Sequence, residues 1–499
     1  MPFPALSPEE AAAHLFHGAT VAFSGFTNAG SAKVIPKAIA RHARLLHHEG
    51  KPFRIRVLTG ASSGASIDEP LAQANAISYR APYQSGPVLR TQINNQEVEY
   101  VDMHLSHLPQ AVLSGFHGKL DFAVIEANEI TPDGRVYLTS SIGASPTYLK
   151  YADRVFIELN EYHSMRLREM TDILILPPPP HRASVPLHEP LTKVGLPYAV
   201  VDPRRVLGVV RNFEPDQVPE FSTPDALSRR IAAHVVRFLV DEMRAGRIPE
   251  EFLPLQAGVG NVANGVMAGL GESPDIPRFK MYTEVFQDSL VDLIEKGKLL
   301  AASTTSLTLT PSVLAKIYDN MDFFVPKIVL RPQELSNHPG VITRLGVIAM
   351  NTALEVDIYG NVNSSHIFGT DIMNGVGGSG EFTRNAYLSV YMCPSVARGG
   401  RISTVVPMCP HVDNNEHSVQ IVVTEQGLAD LRGLGPMQRA GTIIDRCAHP
   451  LYRDYLHRYI EKARVGHIRH DLDLCYELHL NLMETGSMLP GTDFSRVTL

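Results

Sequence analysis

The segment Lys280-Met-Tyr-Thr-Glu284-Val-Phe-Gln-Asp288-Ser-Leu-Val-Asp-Leu-Ile-Glu295 reads as a strand, a tight loop and a helix. In an extended segment side chains alternate faces, so Tyr282, Glu284 and Phe286 share one side and Met281, Thr283 and Val285 the other. Asp288 is placed to cap the helix that follows, whose Leu290, Val291, Leu293 and Ile294 fall on one face. In open α/β sheets ligands bind beyond the carboxyl ends of strands, which makes Glu284 the leading candidate for chemistry. A strand-end glutamate pointing into water also fits the local pattern, so the rest of the chain must decide.

Moving outward, the same succession recurs. Thr20-Val-Ala-Phe-Ser is a short strand running into Gly25-Phe-Thr-Asn-Ala-Gly30, with a helix expected from Ser31. Arg54-Ile-Arg-Val-Leu-Thr leads into the small-residue loop Gly60-Ala-Ser-Ser-Gly64-Ala-Ser before Ile67-Asp-Glu-Pro-Leu. Such loops offer backbone N–H groups to anions and carbonyl oxygens, or serve simply as tight turns. Leu120 to Glu129, a turn at Pro132-Asp-Gly134 and Arg135 to Ser141 share their order of features with Leu345 to Glu355, a turn at Asp357-Ile-Tyr-Gly360 and Asn361 to Ser365. Each half continues to an apolar strand carrying a glutamate, Glu158 in the first and Glu425 in the second, which points to two α/β domains related by duplication. Pro177 to Pro180 marks an extended surface loop. The domain boundary is expected between residues 222 and 223, giving domains 1–222 and 223–499, just before an amphipathic helix from Asp225 to about Arg244.

A chain of 499 residues with 44% hydrophobic content has room for roughly two to four domains and an ample core. The net charge of -7 without a basic block gives no footprint for nucleic acid, and no apolar run approaches the ~20 residues of a spanning helix. Ser7-Pro8-Glu9-Glu10 has the form of a capping box before Ala11-Ala-Ala, so the N-terminus reads as structure rather than a signal, and a cytoplasmic location is expected. Cys393, Cys409, Cys447 and Cys475 lack paired spacing and read as free thiols.

Three glycine motifs compete for function. Gly258-Val259-Gly260-Asn-Val-Ala263 fits the G-x-G-x-x-A dinucleotide fingerprint, with Glu284 about 20 residues on where a ribose-binding acid belongs, so an NAD-dependent oxidoreductase is a rival reading. Against it, Pro254 interrupts the strand the motif needs. Gly60-Ala-Ser62-Ser-Gly64 matches the nucleophile elbow of hydrolases, but too little sheet precedes it. Met373-Asn374-Gly-Val-Gly377-Gly378-Ser-Gly380-Glu-Phe382 suits either close approach of backbone to a ligand or a bent, flexible loop. His411, Asp413, Glu416 and His417 lack recognised ligand spacing, so no metal is expected.

Taken together, Gly258 to Asn264, Tyr282 to Asp288, Met350-Asn351, Tyr359 to Asn363, Asn374 to Phe382 and Val423-Thr-Glu-Gln-Gly-Leu-Ala-Asp-Leu-Arg-Gly433 resemble the acetyl-CoA hydrolase/transferase family, with succinyl-CoA:acetate CoA-transferases the nearest likeness. The resemblance implies class I CoA-transferase architecture: two tandem α/β domains, the active site between them, and a homodimer. It implies CoA transfer from an acyl-CoA, with succinyl-CoA the expected donor, to acetate or another short carboxylic acid. Acyl-CoA and the acids are substrates, and no cofactor is called for. Net hydrolysis of acetyl-CoA is the alternative on the same fold.

Residue by residue, Glu284 resembles the family's nucleophile, which forms a mixed anhydride and then a glutamyl-CoA thioester. The oxyanion donors resemble the Asn337 side chain, in Glu334-Leu-Ser-Asn-His, and the Gly378 N–H. CoA is expected along Gln256, Gly258, Val259 and Gly260, at Asn374, Gly378 and Arg398, with the pantetheine arm near Leu354. Glu425 resembles a second active-site carboxylate, and Arg211 an arginine that meets the substrate acid. Thr-Glu-Val-Phe around Glu284 departs from the Ser-Glu-Asn-Gly setting of 3-oxoacid transferases, and Arg398 stands where lysine is expected.

Overall fold

Strands buried on both faces favour parallel sheets flanked by helices, and Thr20-Val-Ala-Phe and Phe122-Ala-Val-Ile-Glu-Ala are buried at every position. The computed structural model describes residues 3–220 and 224–495. The expected boundary between residues 222 and 223 lies outside the described residues. The chain forms two compact units, each discontinuous in sequence: Met1–Glu220 with Lys280–Leu345 and Ile372–Glu381, and Phe221–Phe279 with Gly346–Asp371 and Phe382–Leu499.

In the first unit, β1 (Thr20–Phe23), β2 (Ile55–Leu58), β3 (Ile77–Ala81), β4 (Glu99–Tyr100), β5 (Phe122–Ala127), β6 (Arg154–Asn160) and β7 (Val206–Asn212) make a parallel sheet of order β7-β6-β5-β1-β2-β3-β4. The order reverses at β1, the topological switch point, where the Gly25 loop leaves the sheet. The chain then makes β8 (Leu255–Ala257) in the second unit and returns to the first for β9 (Phe279–Tyr282), β10 (Leu299–Thr304) and β11 (Ile328–Leu330), which lie side by side in that order. The second unit continues with β12 (Ile348–Thr352), β13 (Leu388–Met392), β14 (Ile421–Thr424) and β15 (Gly427–Asp430). There the order is β8-β12-β13-β14-β15, parallel as far as β14 and closed by an antiparallel hairpin. The succession β8, β12, β13, β14 repeats β1, β5, β6, β7, and β9, β10, β11 repeats β2, β3, β4, as a duplicated α/β domain would.

The returning segment packs with the first unit through backbone bonds. Ile142 N–H donates to Thr305 O at 2.9 Å, Leu307 N–H to Ser140 O at 2.8 Å and Asp172 N–H to Leu330 O at 2.9 Å.

Several local expectations hold. Ser7 and Glu10 close the capping box of helix Pro8–Ala13, and Asp225 accepts from Ser228 N–H at 2.7 Å to start helix Ala226–Arg244. All four cysteines are buried and free. Among the described residues no helix is long and apolar enough to cross a membrane.

Two helix starts differ from expectation. The helix after the Gly25 loop begins at Ile35 rather than Ser31, because the Glu158 carboxylate accepts the N–H groups of Lys33, Val34 at 3.0 Å and Ile35 at 3.1 Å and so fixes the first turn there. Asp288 is the first residue of helix Asp288–Glu295 instead of its cap: its carboxylate accepts from Thr310 N–H at 3.0 Å and Thr310 Oγ1 at 2.7 Å, a pairing 22 residues away.

Beside Glu158 sits a fully buried ionic cluster. Lys33 Nζ lies 2.5 Å from Glu126 and 3.0 Å from Asp216, with His163 Nε2 3.3 Å from Glu126. Burial alone would push the Lys33 ammonium down, but the two carboxylates reverse this and hold it above its ordinary range. Removing the cation would leave two buried carboxylates opposed. Lys33→Met is therefore expected to cost about 3–5 kcal/mol in stability, read from the midpoint of urea unfolding.

Candidate active site

Glu284 does not lie on a continuous strand. β9 ends at Tyr282, the backbone bends at Glu284, and Val285–Phe286 pairs separately with Ser306–Leu307. The bend forms because the Glu284 carbonyl is captured from the side: Thr304 Oγ1 donates to it at 2.6 Å and Thr305 N–H at 2.9 Å. Tyr282 and Phe286 are buried, and so are Met281, Thr283 and Val285 of the other expected face, while Glu284 keeps partial exposure. The carboxylate therefore does not simply point into water.

Its partners come from two other segments of the first unit. Asn337, directly after the short helix Gln333–Ser336, donates from Nδ2 to Glu284 Oε1, and the Tyr282 hydroxyl donates to Leu335 O, pinning that helix to β9. Gly378 packs so closely that an added Cβ would overlap the Glu284 carboxyl group. Asn337 Nδ2 donates a second bond, 2.7 Å, to Glu381 Oε2, and Glu381 Oε1 accepts from Ser106 N–H at 2.7 Å. Burial pushes the Glu284 carboxyl up to about 7 against the opposing Asn337 hydrogen bond. Burial likewise pushes Glu381 up to about 8, opposed by Ser106 and aided by the charge of Glu284. Glu334, on the same helix as Ser336, is raised by burial to about 7, with Arg182 acting against the rise.

The glycine loop is held tightly. Asn374 Nδ2 donates to the Tyr83 hydroxyl at 3.0 Å, Tyr100 OH donates to Asn374 O at 2.9 Å, and Asp102 accepts from Val376 N–H. A Cβ on Gly375 would meet Asp102, Tyr100 and Tyr83. Glycine here serves close approach, with Gly377 at φ 58°, and the loop ends in helix Ser379–Asn385. Arg211, also in the first unit, is exposed and ion-paired with Glu161.

The remaining expected residues lie in the second unit. Gln256 and Asn351 exchange amide hydrogen bonds of 3.1 and 3.2 Å between neighbouring strands β8 and β12. Pro254 precedes β8 rather than breaking it, and the chain turns through Gly258, the exposed Val259 and Gly260, at φ 103°, into helix Asn261–Glu272. Leu354 is exposed, and Arg398 is exposed with φ 46° in the turn between Val396–Ala397 and Ile402–Ser403. Glu425 accepts from Ser395 N–H at 2.8 Å and Gln426 Nε2 at 3.0 Å, and from the Ser395 hydroxyl.

Ser62 lies in a long loop between β2 and helix Asp68–Gln73, without the sharp turn of a nucleophile elbow. His411 Nε2 sits 3.1 Å from Asp413, with the tilted ring of His366 3.8 Å from that of His411 between centroids. Asp413 already accepts from Ser364 and Ser365.

Sequence reasoning overlooked Glu381 and Ser106. The one visible signal for Glu381 was an acid inside the glycine cluster.

Family models for the acetyl-CoA hydrolase/transferase N-terminal and C-terminal domains match residues 3–211 and 314–460. Propanoyl-CoA:succinate CoA transferase of Escherichia coli K12 is 56% identical over 484 residues, covering 97% of this chain and 98% of that protein. Succinyl-CoA:acetate CoA-transferase of Clostridium kluyveri is 42% identical over 97% of this chain and 90% of its own length, and an acetyl-CoA hydrolase of Schizosaccharomyces pombe is 40% identical over 96% and 95%. Among solved structures, RipA from Yersinia pestis shares the fold with a TM-score of 0.71 at 22% identity, covering 92% of this chain and 97% of that one.

The packing at Gly378 yields a direct expectation. Gly378→Ala forces the Glu284 carboxyl from its place, so turnover of acyl-CoA should fall about 100-fold or more with an unchanged far-ultraviolet circular dichroism spectrum, since small misplacements of reacting groups carry costs of that size.

Proposed function

The chain belongs to the acetyl-CoA hydrolase/transferase family, and we propose that it is a CoA-transferase that moves CoA from succinyl-CoA to acetate or another short carboxylic acid, with Glu284 as nucleophile. The observation that carries this reading is the Glu284 carboxylate, enclosed but partly accessible, held between the Asn337 amide and the backbone of Gly378. Two relatives named for CoA transfer between succinate and a short monocarboxylate support the choice of acids.

The ionised Glu284 attacks the thioester carbonyl; the C–S bond breaks and CoA leaves as thiolate, a good leaving group, giving a mixed anhydride. The thiolate attacks the glutamyl carbonyl and expels the donor's acid, leaving a Glu284–CoA thioester. The acceptor carboxylate then runs both steps in reverse and regenerates Glu284. Each attack builds negative charge on a carbonyl oxygen, which the Asn337 N–H and the Gly378 N–H are proposed to stabilise. No cofactor enters this scheme. Gln256, Gly258 to Gly260, Leu354, Asn374 and Arg398 are the proposed CoA contacts, with Arg398 offering a phosphate a fork of donors where lysine would offer a point charge. Glu425, bonded to Ser395 and Gln426, is proposed to be a second active-site carboxylate that orients its neighbours, and Arg211 to meet the substrate acid.

Hydrolysis would need only that water, instead of an acid, reach the acyl-glutamyl or thioester carbonyl, and relatives named as hydrolases keep that reading in view. The two part on acceptor dependence: a transferase releases little free CoA from succinyl-CoA alone and forms acetyl-CoA when acetate is added, whereas a hydrolase releases CoA in both cases.

The deciding experiment is intact mass after mixing with succinyl-CoA and no acceptor, followed by peptide mapping. A CoA-sized adduct on the Glu284 peptide, absent in Glu284→Gln, is expected; intact acyl-CoA with no adduct defeats the proposal. Because attack requires the carboxylate and burial raises Glu284 to about 7, kcat/KM should drop about tenfold per pH unit below that value, with a plateau above it.

A further inference from the structure

Asn337 faces a problem of orientation during the cycle. Its amide carries two N–H hydrogens on Nδ2, one directed at Glu284 Oε1 and one at Glu381 Oε2, while its Oδ1 accepts from Ser336 Oγ at 2.7 Å. Turning the amide by half a revolution would break both of these bonds and the one from Ser336, so the resting network favours this orientation. During catalysis, however, Glu284 becomes first an anhydride and then a thioester. Its oxygens lose their charge and with it most of their strength as acceptors. An amide held only by Glu284 would be free to rotate when the second oxyanion has to be met.

We propose that Glu381 is the positioning residue of this site: the acceptor that persists through the cycle and keeps one Asn337 N–H aimed at the reacting carbonyl, with the Ser336 hydroxyl as its counterpart on the amide oxygen. Glu381 undergoes no covalent change, is only 4% exposed, and is itself fixed by the N–H of Ser106 at 2.7 Å, 275 residues away in sequence. Burial raises its proton affinity, but the hydrogen bonds from Ser106 and Asn337 act against protonation, and unlike Glu284 its carboxyl makes and breaks no covalent bond. The placement also uses this segment twice, because Gly378, directly before helix Ser379–Asn385, packs on Glu284 while Glu381, in the first turn of that helix, reaches Asn337.

The inference rests on Glu284 being the nucleophile, and the test separates the two. Single-turnover formation of the Glu284–CoA adduct is followed by rapid quench and mass spectrometry in wild type, Glu381→Ala, Asn337→Ala and the double variant, with acyl-CoA affinity measured in parallel. Glu381→Ala is expected to slow adduct formation about tenfold or more while the dissociation constant stays within about twofold. In the Asn337→Ala background the same change should have almost no effect, because a group acting only through Asn337 has nothing left to position. Should Glu381→Ala not fold, Ser336→Ala, which removes the other tether, must show the same loss and the same disappearance in Asn337→Ala. A wild-type rate in the folded single variant, or an undiminished loss in the Asn337→Ala background, overturns the positioning role. No adduct on the wild-type enzyme overturns the nucleophile reading, and this inference with it.

Discussion

One amide nitrogen held between two buried carboxyl groups is the constraint on which this site depends. Asn337 Nδ2 reaches Glu284 and Glu381 together, and both acids are raised by burial, so the structure places groups that would each prefer water in contact with a single pair of N–H donors. Such an arrangement persists only when the surrounding backbone leaves no alternative. Here Thr304 and Thr305 hold the Glu284 carbonyl, Tyr282 holds the helix before Asn337, and Ser106 holds Glu381. The Glu284 carboxyl is therefore poised near neutrality, made more basic by its enclosure.

The glycine loop is the second requirement. Its composition suggests mobility, yet Tyr83, Tyr100 and Asp102 grip it through side-chain and backbone bonds. Glycine is needed because the backbone must pass where side chains already stand: at Gly375 against the two tyrosines and at Gly378 against Glu284. Backbone placed that close carries an amide without the bulk that would separate it from a reacting carbon.

The two halves use one device for different ends. Glu158, within β6, gathers the N–H groups at the start of helix Ile35–His48; Glu425 follows β14 and gathers Ser395 and Gln426. In the first half the surroundings are a sealed ionic cluster around Lys33, suited to stability. In the second, the neighbouring turn begins at the exposed Arg398. Relatives named for transfer and for hydrolysis both align with nearly the whole chain.

Local physics made much of this legible from sequence. Apolar runs separated by glycine loops pointed to repeated α/β domains, the Ser7–Glu10 box and Asp225 determined helix starts, and the strand–loop–helix pattern made Glu284 a candidate that the motifs along the rest of the chain then favoured. Each local pattern is set by neighbours within a few residues, through φ preference, capping or periodicity. What tertiary structure alone decided has partners far apart in the chain: the bend at Glu284 comes from Thr304, the anchoring of Asp288 from Thr310, the late start at Ile35 from Glu158, and the pairing of Glu381 with Asn337 spans 44 residues. Hydrogen bonds between remote segments leave no period in the sequence, because either partner alone looks like any polar residue; only the folded chain brings the donor to its acceptor.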